Sequence, residues 1–165
     1  MSTFVSVGNA TQPFSRLLDA VTRLAPGLPQ PVTVQHGSNT FASAACRSVA
    51  FLDMESFTAH IREADLLIFH AGAGSVINAI QAGKVPVVVP RRACYGEHVD
   101  DHQLEFARAL ATAGKVVVVE DVGRLAAAVD EARFRQARQS PSVKLPPLVS
   151  MVGSVLAGYA KDFGG

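Results

Sequence analysis

The chain has 165 residues, which is room for one medium domain with a sizeable hydrophobic core. Hydrophobic residues account for 48% and charged residues for 18%, so the composition excludes a disordered chain and favours a sheet covered on both faces. The 15 Lys and Arg nearly balance the 14 Asp and Glu, giving a net charge of +1. That balance argues against nucleic acid as a partner, because such binding uses a positive excess.

Targeting signals and cysteine usage both predict a cytoplasmic protein. No apolar run approaches the roughly 20 residues that cross a bilayer, and the N-terminal stretch lacks the basic region of a signal peptide. Cys46 and Cys94 have neither CxxC spacing nor the number needed for a disulfide framework. We therefore expect free thiols in a reducing compartment.

Short runs rich in β-branched residues predict strands along the first two thirds of the chain. Most are continuously apolar rather than alternating, which is typical of strands buried on both faces. The predicted strands cover residues 3–7, 31–35, 47–51, 66–69, 85–89 and 115–119.

Helical periodicity lies between most of these strands, with no clear helix in the linkage at 43–48. Predicted helices cover 13–24, from Asp53 or Ser56 to 64, from Ser75 to 83, 102–113, and a fifth that starts at Asp121. Strands alternating with helices predict a doubly wound, Rossmann-like parallel sheet.

The pattern changes after residue 138, so we divide the chain into a domain over 1–138 and a tail over 139–165. The tail begins with a Pro-rich linker and resumes as an amphipathic helix over 148–163. This helix either closes the same domain or docks to a partner.

Doubly wound sheets bind ligands outside the carboxyl ends of their strands, where this sequence places glycines and polar residues. The first strand ends at Gly8 and Asn9, the second at His36, and the fourth runs into the turn HAGAGS at 70–75. A Gly-rich turn before a helix suits a diphosphate, because backbone N–H groups and the helix N-terminus both attract anions. The alternative is a tight turn beside a satisfied histidine.

The sequence gives less support to a dinucleotide cofactor or a metal ion than to a diphosphate. The turn reads GxGxxI, lacks the third glycine of a dinucleotide fingerprint, and has Arg91 and Arg92 where a ribose-binding acid would follow. His98 and His102 have helical spacing for a metal, but no third ligand is evident. We therefore predict neither a metal nor a cofactor, and no motif indicates a covalent nucleophile.

The loop over 90–103 carries a high density of ionisable side chains after the fifth strand. Arg91 or Arg92 could bind phosphate, while Asp100, Asp101 and Gln103 could bind sugar hydroxyls. The alternative is a solvated loop held by its own ion pairs.

These motifs, in this order, resemble one family. The runs are FVSVG at 4–8, PFSRLLDAV at 13–21, ADLLIFHAGAGS at 64–75, GKVPVVVPRR at 83–92 and GEHVDDHQ at 96–103. They resemble the C-terminal, donor-binding half of family 28 glycosyltransferases. The chain is most similar to small subunits of two-component bacterial exopolysaccharide β-1,4-glucuronosyltransferases, which are themselves similar to the catalytic subunit of the eukaryotic dolichol-linked N-acetylglucosaminyltransferase.

The resemblance implies one half of a GT-B enzyme that inverts the anomeric configuration and uses a UDP-sugar, here UDP-glucuronate, as donor. A membrane-attached partner subunit would bind the lipid-linked glycan acceptor and recruit this chain to the inner face of the membrane. The resemblance also implies that the general base lies on the partner or at the interface, so we assign no base in this chain.

The resemblance further implies roles for individual residues. The glycine turn would hold the diphosphate, Asp101 and Gln103 would touch the donor sugar, and Arg92 or His70 would stabilise departing UDP. Many relatives carry Glu at Asn78, the ribose position, and Thr at Asn9. The implied donor-binding residues are Gly8, Asn9, His36, His70, Gly72, Gly74, Ser75, Asn78, Arg92, Asp101 and Gln103.

Two further hypotheses compete with a donor-binding catalytic subunit. An accessory subunit would stabilise or stimulate a glycosyltransferase partner without turnover, and the uncharged Asn78 favours it. A UDP-sugar epimerase-like enzyme needs both domains in one chain, for which 165 residues are too few. In isolation, the surface meant for the partner would also allow the chain to self-associate.

Overall fold

A computed structural model describes residues 1–139 and shows a parallel sheet flanked by helices. The strands are β1 (Thr3–Ser6), β2 (Val32–Gln35), β3 (Arg47–Val49), β4 (Leu66–His70), β5 (Val87–Val89) and β6 (Val117–Val118). The α-helices are α1 (Ser15–Leu24), α2 (Met54–Glu63), α3 (Ala73–Gln81), α4 (His102–Thr112) and α5 (Leu125–Arg138). The predicted doubly wound, Rossmann-like α/β fold is confirmed.

The six strands of the described chain lie in the order β3-β2-β1-β4-β5-β6, and every pair is parallel. The direction of winding therefore reverses between β1 and β4, which makes a switch point between these neighbours. Because all strands are parallel, their carboxyl ends meet at one edge. That edge is where the predicted site residues follow their strands.

The central strands are buried on both faces, as their apolar composition predicts. Within β4, Ile68 packs with one core cluster, while Leu67 and Phe69 pack with another on the opposite face. Helices α1 and α5 contribute Leu17 and Val129 to the first cluster. Helices α2, α3 and α4 cover the other face, so the sheet is sandwiched between two helical layers.

The N-termini of α2 and α3 differ in how well the sequence predicts them. Of the two predicted caps, Asp53 and Ser56, it is Asp53 that caps α2, because its Oδ1 accepts a 2.7 Å hydrogen bond from the amide of Ser56. Helix α3 begins at Ala73, two residues before the prediction, with Gly72 in the capping position. Ser75 therefore lies inside the first turn and does not cap the helix.

The remaining connections agree with the predicted organisation. No helix separates β2 from β3. Asp121 caps a short 3-10 turn, Val122–Arg124, which leads directly into α5. Helix α5 ends at Arg138, whereas the helix predicted over 148–163 lies outside the described residues. No helix within residues 1–139 is both long enough and apolar enough to span a membrane.

Candidate functional site

A cavity of about 220 Å³ opens at the carboxyl edge of the sheet, beside the switch point. It is formed by the ends of β1 and β2, the start of α2 and the first turns of α3. Its lining residues are Ser6, Gly8, Asn9, Gln35, Leu52, Met54, Phe57, Gly74, Ser75 and Asn78. Five of these, Gly8, Asn9, Gly74, Ser75 and Asn78, were predicted from the sequence.

Two buried polar side chains that the sequence analysis missed form the floor of the cavity. Ser6 and Gln35 are 0% and 2% exposed, and the Ser6 hydroxyl donates to Oε1 of Gln35. The Gln35 amide donates to the carbonyl of Ala50 at 2.9 Å and lies 3.5 Å from Oδ1 of Asn9. The pair thus links the ends of three strands. In the sequence, each of these residues is the polar residue that ends its strand, Ser6 in β1 and Gln35 in β2.

An apolar wall was also missed. Leu52, Met54 and Phe57 line the side of the cavity that leads into α2, and Met54 is 74% exposed. In the sequence these residues read as the apolar positions of an ordinary amphipathic helix and the loop before it. An apolar wall beside polar groups fits a flat organic ring such as a nucleobase.

The first turns of α3 form the opposite wall. A Cβ built on Gly74 would meet no atom within 4 Å, so this glycine faces open space. Ser75 follows it, and Asn78 lies one turn further along, where its amide donates to the Thr58 hydroxyl at 3.3 Å. The unpaired N–H groups of a helix N-terminus attract anions, so this wall suits a phosphate.

The ring of His70 is enclosed by two glycines. A Cβ on Gly8 would lie 2.5 Å from Nε2 of His70, and one on Gly72 would lie 2.1 Å from its Cε1. Gly8 also has a φ of +78°, a conformation that favours glycine. Both glycines therefore make room for the imidazole, and the loop after β1 contacts the turn after β4 through it.

His70 stays neutral at physiological pH. Desolvation is the main cause, with the Arg91 guanidinium second, and together they lower its pKa to about 3 although Gln103 favours the protonated ring. Its Nδ1 is buried and accepts or donates no hydrogen bond within the described part of the chain. A neutral imidazole can hydrogen-bond to a leaving group but supplies no positive charge to it.

Arg91 does not face the cavity. It is fully buried, and its guanidinium donates to the carbonyls of Val7, Gln12 and Glu97 at 2.7, 2.8 and 3.0 Å. The guanidinium carbon also lies 4.7 Å from the centre of the Phe14 ring. Burial lowers the pKa of Arg91 to about 10, partly opposed by Glu97. Arg91 is therefore a structural clamp between two loops, and the phosphate-binding alternative for it is corrected.

A second buried charge reinforces this clamp. Glu97 is only 3% exposed, and both of its carboxylate oxygens accept from Arg16, at 2.9 and 3.0 Å. The same carboxylate accepts from the amide of Arg92 at 3.0 Å, which fixes the backbone after β5. Neither Glu97 nor Arg16 stands out in the sequence, because their pairing spans 81 residues.

Arg92 and Asp101 form an ion pair across the loop after β5, with the Arg92 Nε 3.3 Å from Oδ1 of Asp101. Asp101 also accepts a 2.9 Å hydrogen bond from the amide of Ala93, and this bond is the main cause of its lowered pKa. Gln103 accepts from the amide of Arg91 at 3.1 Å. None of these three predicted residues is among the residues that line the cavity.

The remaining histidines fall in two places. His36 lies outside the cavity lining, with its Nδ1 2.8 Å from the carbonyl oxygen of Asn39. His98 and His102 both contact the carboxylate of Asp100. Within residues 1–139, no group of three or more His, Cys, Asp or Glu side chains is arranged to hold a metal ion.

Together, the strand order, the cavity at the switch point and the helix N-terminus define a Rossmann-type domain with a candidate ligand site at its carboxyl edge. Residues 2–145 match the glycosyltransferase family 28 C-terminal domain. The chain therefore belongs to this family and is a glycosyltransferase domain of the type that binds the sugar donor. No curated protein matches the chain.

Solved structures share the fold. A glycosyltransferase of kitacinnamycin is 18% identical and superposes with a TM-score of 0.62 over 93% of this chain. MurG of Acinetobacter baumannii is 22% identical, with a TM-score of 0.54 over 82% of this chain. The chain spans only 37% and 45% of the lengths of these two proteins.

Proposed function

We propose that this chain is the donor-binding, catalytic subunit of a heteromeric inverting glycosyltransferase. It would transfer a sugar, glucuronate, from a UDP-sugar to a lipid-linked glycan in exopolysaccharide biosynthesis. The observation that carries the proposal is the cavity at the switch point, with an apolar wall opposite a helix N-terminus. In a chain of this family, such a cavity suits a nucleoside diphosphate.

Each part of the donor has a matching surface. Leu52 and Met54 would contact the base, Asn78 the ribose, and the first turn of α3 at Gly74 and Ser75 the diphosphate. The sugar would then extend past His70 toward Asp101 and Gln103. No metal is needed in this arrangement, because N–H groups and Arg92 would stabilise the charge on departing UDP.

The acceptor would be held by a second subunit at the membrane, because one Rossmann-like domain supplies only half of a GT-B cleft. The chain covers less than half the length of the two structural relatives. The family resemblance, rather than any side chain of the cavity, supports UDP-glucuronate as the donor.

The proposal is tested by calorimetric titration with UDP, UDP-glucuronate and UDP-N-acetylglucosamine, with and without EDTA. We expect saturable binding by wild type that survives EDTA and is lost in Gly74→Trp, whose indole would occupy the cavity. Gly27→Trp is the matched control, since Gly27 also faces open space but lies before β2, away from the cavity. Equal binding by Gly74→Trp and wild type would overturn the site.

One observation favours a non-catalytic accessory subunit as second candidate. Among residues 1–139 no carboxylate lines the cavity, and the Asn78 amide is already engaged with Thr58. In that case the chain would bind and stabilise a membrane-bound partner but would not bind UDP. Co-purification with the partner, together with no heat of UDP binding by the complex, would support this candidate.

A further inference from the structure

The floor of the cavity holds a chain of hydrogen bonds whose direction is fixed at one end. The carbonyl oxygen of Ala50 accepts from the Gln35 side-chain amide and from the main-chain amide of Gly37, each at 2.9 Å. A carbonyl oxygen only accepts hydrogen bonds, so the side-chain nitrogen of Gln35 must face Ala50. Oε1 of Gln35 then accepts from the Ser6 hydroxyl. Gln35 is buried, so water does not replace these partners.

The same nitrogen of Gln35 also faces the loop after β1. It lies 3.4 Å from the carbonyl oxygen of Gly8 and 3.5 Å from Oδ1 of Asn9. A donor attracts the oxygen of the Asn9 side chain rather than its nitrogen, so the NH2 group of Asn9 is directed away from Gln35. This NH2 group donates no hydrogen bond to any of residues 1–139, and Asn9 is an exposed residue that lines the cavity.

The backbone that leads into Asn9 is held by contacts on several sides. A Cβ built on Gly37 would lie 2.6 Å from the carbonyl oxygen of Gly8, so the two loops are in close contact. The amide of Gly8 donates to the Ser6 hydroxyl oxygen at 3.3 Å, and the ring of His70 lies against the same glycine. With the backbone fixed in this way, the Gln35 amide decides which end of the Asn9 side chain faces the cavity.

The direction of the Asn9 amide matters because the cavity offers an anion only uncharged groups. Among residues 1–139, no charged side chain lines the cavity. An anion there depends on neutral donors, such as the N–H groups at the start of α3 and the Ser75 hydroxyl. The NH2 group of Asn9 adds a donor from another element. In the reverse orientation, Asn9 would present an oxygen lone pair, which repels an anion.

We propose that Gln35 is a positioning residue that turns the Asn9 side chain so that its NH2 group donates to the diphosphate of the sugar donor. The inference rests on the proposed function and deepens it, because it assigns a role at that site to a buried side chain. Gln35 acts through Asn9 and does not itself contact the diphosphate. Ser6 supports this arrangement by donating to Oε1 of Gln35, which opposes a reversal of the Gln35 amide.

The test is a double-mutant cycle on the full chain, with UDP titrated by calorimetry. The variants are Asn9→Ala, Gln35→Met and the combination of both, since methionine has the length of glutamine without its amide. Uridine, which lacks the diphosphate, is measured by competition against UDP. Gln30→Met is the matched control, because the Gln30 amide also donates to main-chain carbonyls but lies before β2 and does not line the cavity.

We expect Asn9→Ala and Gln35→Met each to weaken UDP binding about five- to tenfold and to change uridine binding by less than about twofold. The double variant should bind UDP within about twofold of Asn9→Ala, because Gln35 acts only through Asn9. Gln30→Met should bind UDP as wild type does. Losses that multiply in the double variant, or UDP and uridine weakened alike, would overturn the positioning role.

Asn9→Asp gives a test that does not depend on how well Gln35→Met folds, because Asn9 is exposed. The carboxylate still accepts from Gln35 but presents an oxygen to the cavity in place of NH2, and we expect UDP binding to weaken about tenfold or more. UDP binding by Asn9→Asp as tight as that of wild type would overturn this inference alone. Absence of UDP binding by wild type would overturn the proposed function and this inference with it.

Discussion

The imidazole of His70 occupies the space that a side chain on Gly72 would need, since a Cβ there would lie 2.1 Å from Cε1 of the ring. Gly72 has an extended backbone, with φ −74° and ψ 128°, which any residue can adopt. The glycine is therefore required by packing against His70 rather than by its backbone conformation. Gly74, two residues later, meets no such neighbour.

This difference predicts opposite outcomes for two similar substitutions. Gly72→Ala should lower the free energy of unfolding by about 1–3 kcal/mol, because the added methyl group displaces a buried ring. Gly74→Ala should raise it by about 0.5–1 kcal/mol, because alanine is the better residue inside a helix. Urea denaturation measures both. A Gly72→Ala variant as stable as Gly74→Ala would show that His70 moves aside freely.

Acid should destabilise the protein through His70. Its pKa is about 3 in the fold and about 6.5 when unfolded, so between these values the unfolded chain binds a proton that the native ring does not. The contribution is fully present above pH 6.5 and is lost as the pH falls toward 3, by at most about 1.4 kcal/mol per pH unit. Comparing wild type with His70→Gln in urea at several pH values isolates it. If the free energies of unfolding of the two proteins changed in parallel between pH 6.5 and 3, the neutral, buried state of His70 would be contradicted.

Neighbouring arginines should differ sharply in their effect on stability. Arg91→Met leaves the main-chain carbonyls of Val7, Gln12 and Glu97 without their donor and should cost about 3–5 kcal/mol. Arg92→Met removes only a partly exposed pair with Asp101 and should cost less than about 1 kcal/mol. Chemical denaturation of both variants measures these costs. Equal losses in the free energy of unfolding would contradict the role of Arg91 as a clamp between the two loops.

The uncharged residue at Asn78 should limit affinity for the nucleotide. We expect Asn78→Glu to tighten UDP binding about tenfold, because a carboxylate accepts stronger hydrogen bonds from ribose hydroxyls than an amide does. Asn78→Gln, which has the same length without the charge, should leave affinity within twofold. Calorimetry compares them, and weaker binding by Asn78→Glu would place the ribose elsewhere.

The sequence was informative where local chemistry decides the structure. Runs rich in β-branched residues predicted the strands of the described chain, and glycines after two of them marked the cavity edge. The Gly72 turn was attributed to a diphosphate, whereas the structure also shows it packed against His70. A bare sequence does not reveal which neighbour a glycine accommodates.

Long-range pairing explains what the sequence did not reveal. Arg91 and Arg92 are adjacent and alike, yet one is buried and the other faces Asp101 because successive side chains leave an extended segment in opposite directions. The partners of Arg91 come from residues up to 84 positions away. Gln35 and Glu97 were missed for the same reason, since their roles depend on loops that meet only after folding.

The Arg91 clamp has an evolutionary consequence. All three hydrogen bonds of the Arg91 guanidinium end on main-chain carbonyls, which every amino acid offers alike. The residue at Gln12 can therefore drift among relatives without loosening the loops, whereas the arginine itself has no substitute with the same reach and number of donors. A saturation library should accept nearly all replacements at Gln12 and almost none at Arg91, so the loops around this site can diversify while their spacing persists.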